Sequence, residues 1–234
     1  PGMKFQTVYV MHGGGEDQSV SARYVALERY AQTNKVMLVC PDFQFFGTDC
    51  AGGNYFTYLT EELPRIIQTV FPSSPKREDN FVMGYAMGAN VALGMAVLRP
   101  DLFHACLDIS GGIGMTLVPE TMASDHFRTF MPSYKVAFGE PENFPGSRWD
   151  LYPAAKKNKE SGVELTDIII ACGNKEFIRK RVEGDVAALE ELGHPVKYIC
   201  AEGYDHDWKM WEKYMEEGLN ELLPLKREYL YPER

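Results

Sequence analysis

The chain lacks an excess of basic residues. Its 24 lysines and arginines are outnumbered by 33 aspartates and glutamates, which gives a formal net charge of -9 at pH 7. Binding to nucleic acid depends on basic side chains that neutralise phosphates, so the composition argues against a nucleic-acid partner. The one basic pair, Lys76-Arg77, is followed at once by Glu78-Asp79 and is interpreted as a solvated turn.

Long apolar runs and paired cysteines are absent as well. No run approaches the roughly 18 apolar residues that a membrane-spanning helix needs, so we predict no membrane span. The cysteines form an odd set without paired spacing, namely Cys40, Cys50, Cys106, Cys172 and Cys200. Four of them lie in or beside apolar runs, which favours buried free thiols over a disulfide framework. We therefore expect a reducing, cytoplasmic location.

Six short apolar or β-branched runs alternate with amphipathic segments, without any low-complexity linker. The runs end in Gly, Pro, Asp or Ser, as strands of a buried parallel sheet do. These predicted strands are Phe5–Met11, Val36–Cys40, Phe81–Met83, Ala105–Ile109, Ile168–Ala171 and Val196–Cys200. The pattern predicts a single α/β domain over residues 1–234, with a doubly wound, mostly parallel sheet and helices on both faces.

Apolar periodicity predicts the helices between these strands. The stripes are formed by Tyr24, Leu27 and Tyr30, by Ile178, Val182, Val186 and Leu189, and by Trp208, Trp211, Met215, Leu219 and Leu222. Gly193 is expected to cap the second helix and Pro224 to stop the third. A further helical stretch, 57–71, contains Pro64, so this helix is expected to start late or to kink there.

One segment, 111–165, breaks the alternation and is rich in Pro, Met and aromatic residues. A connection of that length between two strands is usually functional. Ser110 ends a strand at the sheet edge where the candidate site lies, so the segment has to begin there. We therefore predict that residues between Gly111 and Trp149 form a partial lid and supply Met or aromatic walls to a pocket.

The stretch Gly84-Tyr85-Ala86-Met87-Gly88 has the spacing of the nucleophile elbow G-x-S-x-G, with alanine at the centre. In an elbow the central residue sits at a sharp strand-to-helix turn. Glycines on either side are needed because a Cβ there would collide with the neighbouring strand and helix. The amide of Met87 would point at a developing oxyanion. The motif alone is weak, because glycine-flanked turns are common in sheets of this kind.

The order of the other parts strengthens this interpretation. "MHGGGED" follows the first strand and is typical of the loop that supplies a second oxyanion-hole amide, here from Gly13 or Gly14. Glu176 follows the strand that ends in "IIIA", and His206 follows the last strand. Nucleophile position, acid and histidine, each just past the end of a strand, is the order of an α/β-hydrolase triad.

The chain resembles the tributyrin-esterase, or esterase D-like, family of α/β-hydrolases, which is related to S-formylglutathione hydrolases and to feruloyl and acetylxylan esterases. The resemblance rests on "VYVMHGGG", "YFTYLTEELPRIIQTVFP", "FVMGYAMGANVALGMAVLRPDLF", "ACGNKEF" and "GYDHDWKMW". It covers nearly the whole chain, with 111–165 matched loosely. Ala86 stands where the family has serine, and Glu176 where it usually has aspartate. The family also usually carries two N-terminal strands that are missing here, so we expect a truncated start.

Alternatives accompany several of these residues. His12, Phe45, Phe46 and Tyr85 are predicted to contact substrate, and His12 suits a scaffold role better than that of a base. Core packing explains about half of the aromatics between residues 43 and 56, which are Phe43, Phe45, Phe46, Tyr55 and Phe56. The alternatives to Glu176 as the acid are Asp150 and a role shared with neighbouring loop residues. Cys172 is interpreted as a buried structural thiol. Asp205 and Asp207 flank His206, but adjacent side chains diverge, so neither a metal nor another cofactor is expected.

Two classes of function remain open. The first is a serine carboxylesterase, inactivated by alanine at position 86, for short-chain acyl, acetylated-sugar or hydroxycinnamoyl esters. The second is a natural pseudo-hydrolase that binds a ligand or a partner. The first is favoured because the oxyanion loop, both elbow glycines and His206 are all present, whereas a decayed site should have drifted. The expected partners are a small-molecule or carbohydrate ester and, in assembly, a second copy in a homodimer.

Overall fold

The computed structural model describes residues 2–112, 119–125, 129 and 133–231. In this part of the chain a sheet of six parallel strands has the order β2-β1-β5-β6-β7-β8. The strands of this sheet are β1 (Gln6–Met11), β2 (Val36–Val39), β5 (Asn80–Tyr85), β6 (Ala105–Ile109), β7 (Asp167–Gly173) and β8 (Val196–Ala201). A separate antiparallel pair is formed by β3 (Asp49–Cys50) and β4 (Gly53–Asn54). Each of the six predicted runs is a strand of the main sheet.

Helices connect the strands. They are α1 (Val20–Tyr24), α2 (Leu27–Asn34), α3 (Tyr55–Thr57), α4 (Leu63–Val70), α5 (Met87–Leu98), α6 (Pro119–Met122), α7 (Ser133–Phe138), α8 (Leu151–Ser161), α9 (Arg179–Glu191) and α10 (Trp208–Glu217). Short 3₁₀ turns lie at Phe45–Gly47, Arg77–Asp79 and Pro141–Asn143, and π-helical turns at Tyr58–Glu62 and Gly218–Leu222.

The sheet is buried on both faces, as the apolar runs require. Along β5, Phe81 and Met83 pack toward α2 and α10, whereas Val82 packs toward α4 and α5. Beyond β6, the second face is covered by α8 and α9. Successive strand residues point to opposite faces, so a strand buried on both sides must be apolar throughout. The prediction of a parallel sheet with helices on both faces is confirmed.

The predicted apolar stripe is confirmed for α9, which is a single continuous helix. Ile178, Val182, Val186 and Leu189 are buried, and Gly193 follows α9 with a positive φ of 69°. Tyr24, by contrast, is 58% exposed. The extended residue Val25 separates α1 from α2, so Tyr24 does not share a stripe with Leu27 and Tyr30. The prediction was wrong because one continuous helix was assumed.

Pro64 has a different effect from the one predicted. The helical segment already begins at Tyr55, and a π-helical turn, Tyr58–Glu62, precedes α4. Proline lacks an N–H and crowds the preceding turn, and the wider π turn accommodates both defects without ending the helix. The predicted late start of this helix was therefore wrong. The irregularity before Pro64 is instead a π-helical turn within a continuous helical segment.

All five cysteines are free thiols. Cys106 and Cys172 are buried, but Cys200 is exposed because β8 is an edge strand of the sheet. Burial raises the pKa of the Cys172 thiol, in keeping with a structural role. Within the described ranges, no helix is long and apolar enough to cross a membrane, and no cluster of side chains there has the composition of a metal site.

Candidate active site

Ala86 lies between the end of β5 and the start of α5, in a strained backbone conformation. Its φ of 50° and ψ of -122° lie outside the wells that L-residues normally occupy. The Ala86 amide donates to the Ile109 carbonyl of the neighbouring strand at 2.9 Å, which holds the turn against the sheet. The backbone of position 86 therefore has the sharp strand-to-helix turn in which an elbow presents its central side chain.

The two flanking glycines are required by close backbone contacts. A Cβ on Gly84 would lie 2.2 Å from the Gly88 carbonyl oxygen, and one on Gly88 would lie 2.2 Å from the Met11 carbonyl oxygen. Both distances are far below van der Waals contact, and both obstacles are main chain, which cannot rotate away. The structure thus gives the physical reason for the spacing seen in the sequence.

Glu176 and His206 meet at the same edge of the sheet, in the loops that follow β7 and β8. Glu176 Oε2 lies 2.8 Å from Nδ1 of His206. The Glu176 side chain is fully buried, whereas that of His206 is 22% exposed. Nε2 of His206 has no hydrogen-bond partner among the described residues, which leaves it available to a ligand. The rival acid, Asp150, instead precedes α8 and accepts the Gly146 amide at 2.8 Å.

The second carboxylate oxygen of Glu176 is held by two donors. Oε1 accepts the Ser110 hydroxyl at 2.7 Å and the Gly173 amide at 2.6 Å. With both donors on Oε1, Oε2 is directed to the imidazole. Ser110 is fully buried and has a φ of 63°, so its backbone is also strained. Sequence reasoning missed this positioning role, although Ser110 was recognised as the residue that ends β6.

Of the two glycines proposed for the oxyanion loop, the structure favours one. The Gly13 amide donates to Glu16 Oε2 at 2.9 Å and is buried, so it is already used within the protein. Gly14 is exposed, and a Cβ built on it would lie 3.7 Å from Cβ of Met87. Met87 is the first residue of α5, where amides lack intrahelical partners. The assignment of Gly13 as a donor is therefore corrected to a scaffold role, and Gly14 and Met87 remain the candidates.

Two residues expected to contact substrate belong to the scaffold instead. His12 is buried, with Nδ1 2.8 Å from the Gly13 carbonyl oxygen and its ring stacked on Phe43 at 4.2 Å. Tyr85 is fully buried, and its hydroxyl donates to Glu16 Oε2 at 2.5 Å. Burial, followed by this hydrogen bond, raises the pKa of Tyr85, so the hydroxyl stays protonated. These two assignments were wrong because the sequence does not show on which face of the loop or strand a side chain lies.

Phe45 and Phe46 lie beside α5. Both have a left-handed backbone conformation, with φ of 49° at Phe45 and 55° at Phe46. Phe46 is buried and contacts Tyr134 of α7, with ring centroids 4.5 Å apart. It lines an apolar cavity of about 40 Å³. Other residues that line this cavity are Phe56, Asn90, Val91, Gly94, Phe138, Phe144 and Trp149.

The described parts of 111–165 reach this cavity. Met122, Tyr134 and Phe144 form one buried cluster with Phe46, against which Met87 also packs. The remaining residues of the predicted lid, 113–118, 126–128 and 130–132, lie outside the described ranges.

Sequence reasoning also missed Asp108, which lies on β6 two residues before Ser110. It is fully buried and accepts the Gly111 amide at 2.9 Å. Burial, followed by repulsion from Asp185, raises its pKa to about 7. An acid in the middle of an apolar strand was the available signal.

This pKa predicts that the contribution of Asp108 to stability is lost as pH rises from about 4 to about 7. A carboxyl whose pKa is higher in the folded than in the unfolded state makes its full contribution to stability below the unfolded-state pKa. This contribution is lost as pH rises to the folded-state pKa. Each tenfold change in the ionisation constant is worth about 1.4 kcal/mol, so ionisation at Asp108 costs on the order of 4 kcal/mol. Asp108→Asn, which keeps the acceptor for Gly111, should flatten the dependence of the free energy of unfolding on pH between these values. Urea titrations at pH 4, 5.5 and 7.5 measure it, and identical slopes for both proteins would contradict it.

Ser110 offers a test of how Glu176 is held. In a background with serine at position 86, Ser110→Ala should lower kcat by about 10- to 100-fold with KM nearly unchanged, since hydrogen bonds to charged groups are worth about 1.5–3 kcal/mol. The pH profile of hydrolysis should shift as well, because Glu176 then holds His206 less firmly. Ser110→Gly is the matched control, because it removes the same hydroxyl but relieves the positive φ. Losses in both variants support the hydrogen bond, whereas an unchanged kcat in both would contradict it.

A parallel sheet with an elbow after β5, an acid after β7 and a histidine after β8 defines the α/β-hydrolase fold. The chain belongs to the esterase family described as "Putative esterase", whose model matches residues 1–222. It is similar to an acetyl esterase of Caldicellulosiruptor saccharolyticus, at 27% identity over 90% of this chain and 80% of that protein. It is also similar to the S-formylglutathione hydrolase of Rattus norvegicus, at 29% identity over 65% of this chain and 50% of that protein.

Solved structures share the fold. FphF, a fluorophosphonate-binding serine hydrolase of Staphylococcus aureus, has a TM-score of 0.81 at 22% identity, over 93% of this chain and 83% of that one. An alanine mutant of the feruloyl esterase module from Clostridium thermocellum, complexed with sinapinate, has a TM-score of 0.66 at 16% identity, over 98% of this chain and 81% of that one. At these identities the likeness concerns the fold alone.

Proposed function

We propose that this chain is the framework of a serine carboxylesterase in which alanine occupies the nucleophile position. The observation that carries the proposal is the pair of buried Glu176 and half-buried His206, 2.8 Å apart, at the sheet edge where Ala86 adopts its strained turn. A strained backbone and a buried carboxylate both oppose folding, and they persist where a function maintains them. Membership of the esterase family supports the same reading.

With serine at position 86, each group has one role. The serine oxygen attacks the ester carbonyl carbon while Nε2 of His206 takes its proton. The amides of Gly14 and Met87 hydrogen-bond the oxyanion that forms. Glu176 stabilises the imidazolium and fixes the ring, and His206 then gives the proton to the leaving alcohol. Water then attacks the carbonyl carbon of the acyl-enzyme by the same steps, and the acid and the free serine are released.

The acyl group is proposed to be short, and the apolar cavity beside α5 to hold it. Phe46, Phe56 and Val91 line this cavity, as an apolar acyl group requires. Val91 and Gly94 line it on the helix that begins next to Ala86. We propose Phe46 as a wall of this acyl pocket and Phe45 as a neighbour at its rim. The acetyl esterase relative is consistent with this choice.

The segment 111–165 is proposed to act as a partial lid over the acyl pocket. Tyr134 contacts Phe46, and Met122 belongs to the same buried cluster, which supports this role. Exclusion of water strengthens the electrostatic interactions on which acyl transfer depends. The homodimer and the cytoplasmic location stay predictions, which light scattering and cell fractionation test.

The alternative is a ligand-binding pseudo-hydrolase, and the observation that favours it is Ala86 itself. One experiment separates the two functions. Serine is placed at position 86, and hydrolysis is measured on a panel of short-chain, acetylated-sugar and hydroxycinnamoyl esters. Turnover supports the esterase. A folded serine variant that hydrolyses none of the panel, while the parent chain still binds an ester in calorimetry, supports the pseudo-hydrolase.

A further inference from the structure

The oxyanion loop, residues 13–16, has few contacts that fix its position. Its three glycines carry no side chains with which the loop could pack, and Gly14 and Gly15 are exposed. A Cβ built on Gly15 would meet no atom within 4 Å. Glycine also loses more conformational freedom on folding than any other residue. Hydrogen bonds at the base of the loop therefore have to hold the Gly14 amide in place.

One carboxylate oxygen supplies these hydrogen bonds. Glu16 Oε2 accepts the Gly13 amide at 2.9 Å and the Tyr85 hydroxyl at 2.5 Å. The Tyr85 hydroxyl itself accepts a hydrogen bond from the Ser21 hydroxyl of α1 at 3.4 Å, so its one proton is directed to Glu16. Hydrogen bonds to an ionised acceptor are shorter and stronger than those between neutral groups. A single oxygen thus joins the loop to Tyr85.

Tyr85 connects this oxygen to the nucleophile position. It is the last residue of β5 and directly precedes Ala86. Met11 of β1 is paired with Gly84 of β5, so the oxyanion loop leaves β1 beside the elbow. Tyr85 is fully buried, and a Cβ on Gly13 would lie 3.0 Å from Cε2 of its ring. The base of the loop therefore packs against a buried side chain whose backbone lies one residue from position 86.

The chemistry of acyl transfer gives this connection a role. The oxyanion forms on the carbon that the serine oxygen attacks, so its amide donors must lie at a fixed distance from position 86. A displacement of about 1 Å in such a site can cost on the order of 10²-fold in rate. Met87 follows position 86 directly, whereas Gly14 belongs to a separate loop and needs a link to the elbow.

We propose that Glu16 and Tyr85 are positioning residues that hold the Gly14 amide in register with the nucleophile position. The inference rests on the proposed esterase function. Neither side chain touches the reacting atoms. Glu16 takes the Gly13 amide as its anchor and leaves the Gly14 amide to the oxyanion, while Tyr85 fixes Glu16 relative to β5.

Turnover in the Ala86→Ser background tests the role of Glu16. Glu16→Ala should lower kcat for p-nitrophenyl acetate about 10- to 100-fold, less than the 10²- to 10³-fold expected when a donor is removed, because the amide is only displaced. KM should change less than about 2-fold, since the oxyanion exists only after attack. Glu16→Gln keeps an acceptor oxygen and should restore most of kcat. Active sites are counted by fluorophosphonate titration, so a fraction of misfolded protein does not lower kcat. A kcat within about 2-fold of the parent, or a loss confined to KM, would overturn the proposal.

A double-mutant cycle tests whether the two residues act through one link. Tyr85→Phe removes the shared hydroxyl and should lower kcat about 3- to 10-fold. Combined with Glu16→Ala, its loss should not multiply, because both substitutions break the same connection. Tyr152→Phe and Glu191→Ala are the matched controls, since this tyrosine hydroxyl lies 3.5 Å from the glutamate in an exposed pair between α8 and α9. Both controls should leave kcat unchanged, and losses that multiply in the double variant would contradict the shared link.

Amide hydrogen exchange in the chain as it stands tests the link without any hydrolysis. Glu16→Ala should speed exchange of the Gly13 amide at least about 10-fold. The Ala86 amide, which donates to the Ile109 carbonyl, is the internal control and should exchange as before. Unchanged exchange at Gly13 overturns the proposal. If Ala86→Ser neither hydrolyses esters nor reacts with a fluorophosphonate, the esterase proposal fails, and the exchange measurement still decides whether Glu16 holds the loop.

Discussion

Placing serine at position 86 is expected to raise kcat for a small acetyl ester by about 10⁶. The reason is the loss of covalent catalysis in the present chain. Without an oxygen at this position no acyl-enzyme forms, and only the oxyanion amides and His206 acting on water remain. KM should change little, because the alanine methyl removes one oxygen and blocks nothing. Stopped assays with p-nitrophenyl acetate measure the gain.

Two controls distinguish restored catalysis from a surface reaction. A fluorophosphonate should label the Ala86→Ser protein once, at the introduced serine, and should leave the parent chain unmodified. His206→Ala in the serine background should abolish most of the gain. Labelling elsewhere in the chain, or activity that survives His206→Ala, would contradict the assigned site.

The second large effect is expected at Glu176. In the serine background, Glu176→Gln should lower kcat by about 10⁴, as an amide in place of the triad acid does. Oε1 accepts two hydrogen bonds, from the Ser110 hydroxyl and the Gly173 amide. The glutamine oxygen will therefore occupy that place, and its amide nitrogen will face Nδ1 of His206. Nδ1 must then accept a hydrogen bond, which puts the proton on Nε2. The imidazole therefore cannot take a proton from serine.

A conservative substitution of the same residue tests the role of its charge. Glu176→Asp keeps the charge but shortens the side chain by one methylene, so it should retain more activity than Glu176→Gln. Glu183→Gln removes an exposed carboxylate that pairs with Arg179 at 3.2 Å and should leave kcat unchanged. If Glu176→Gln kept full activity, the acid of the site would have to be sought elsewhere.

Local sequence signals were sufficient for the sheet and for the elbow. Six apolar runs bounded by turn residues predicted the strands of the parallel sheet, because a strand buried on both faces must be apolar throughout. The spacing of Gly84 and Gly88 predicted the sharp turn at Ala86, because main-chain contacts of 2.2 Å admit no side chain. Each of these patterns lies within one short segment, so the sequence shows it, although the main-chain oxygen that excludes a side chain at Gly88 belongs to the distant residue Met11.

The partners of the site residues were decided only in three dimensions. Glu16 takes the Gly13 amide and leaves Gly14 exposed, and nothing in three consecutive glycines distinguishes them. Ser110 reaches Glu176 across 66 positions of sequence.

The chain by itself therefore determined the fold class, the elbow, and the choice of Glu176 and His206 as candidates. The tertiary structure decided that His12 and Tyr85 are buried supports, and that Tyr24 faces solvent. The physical reason is that hydrogen-bond partners and exposure depend on how separate loops meet at the sheet edge, whereas apolar runs and glycine spacing are patterns within a single segment.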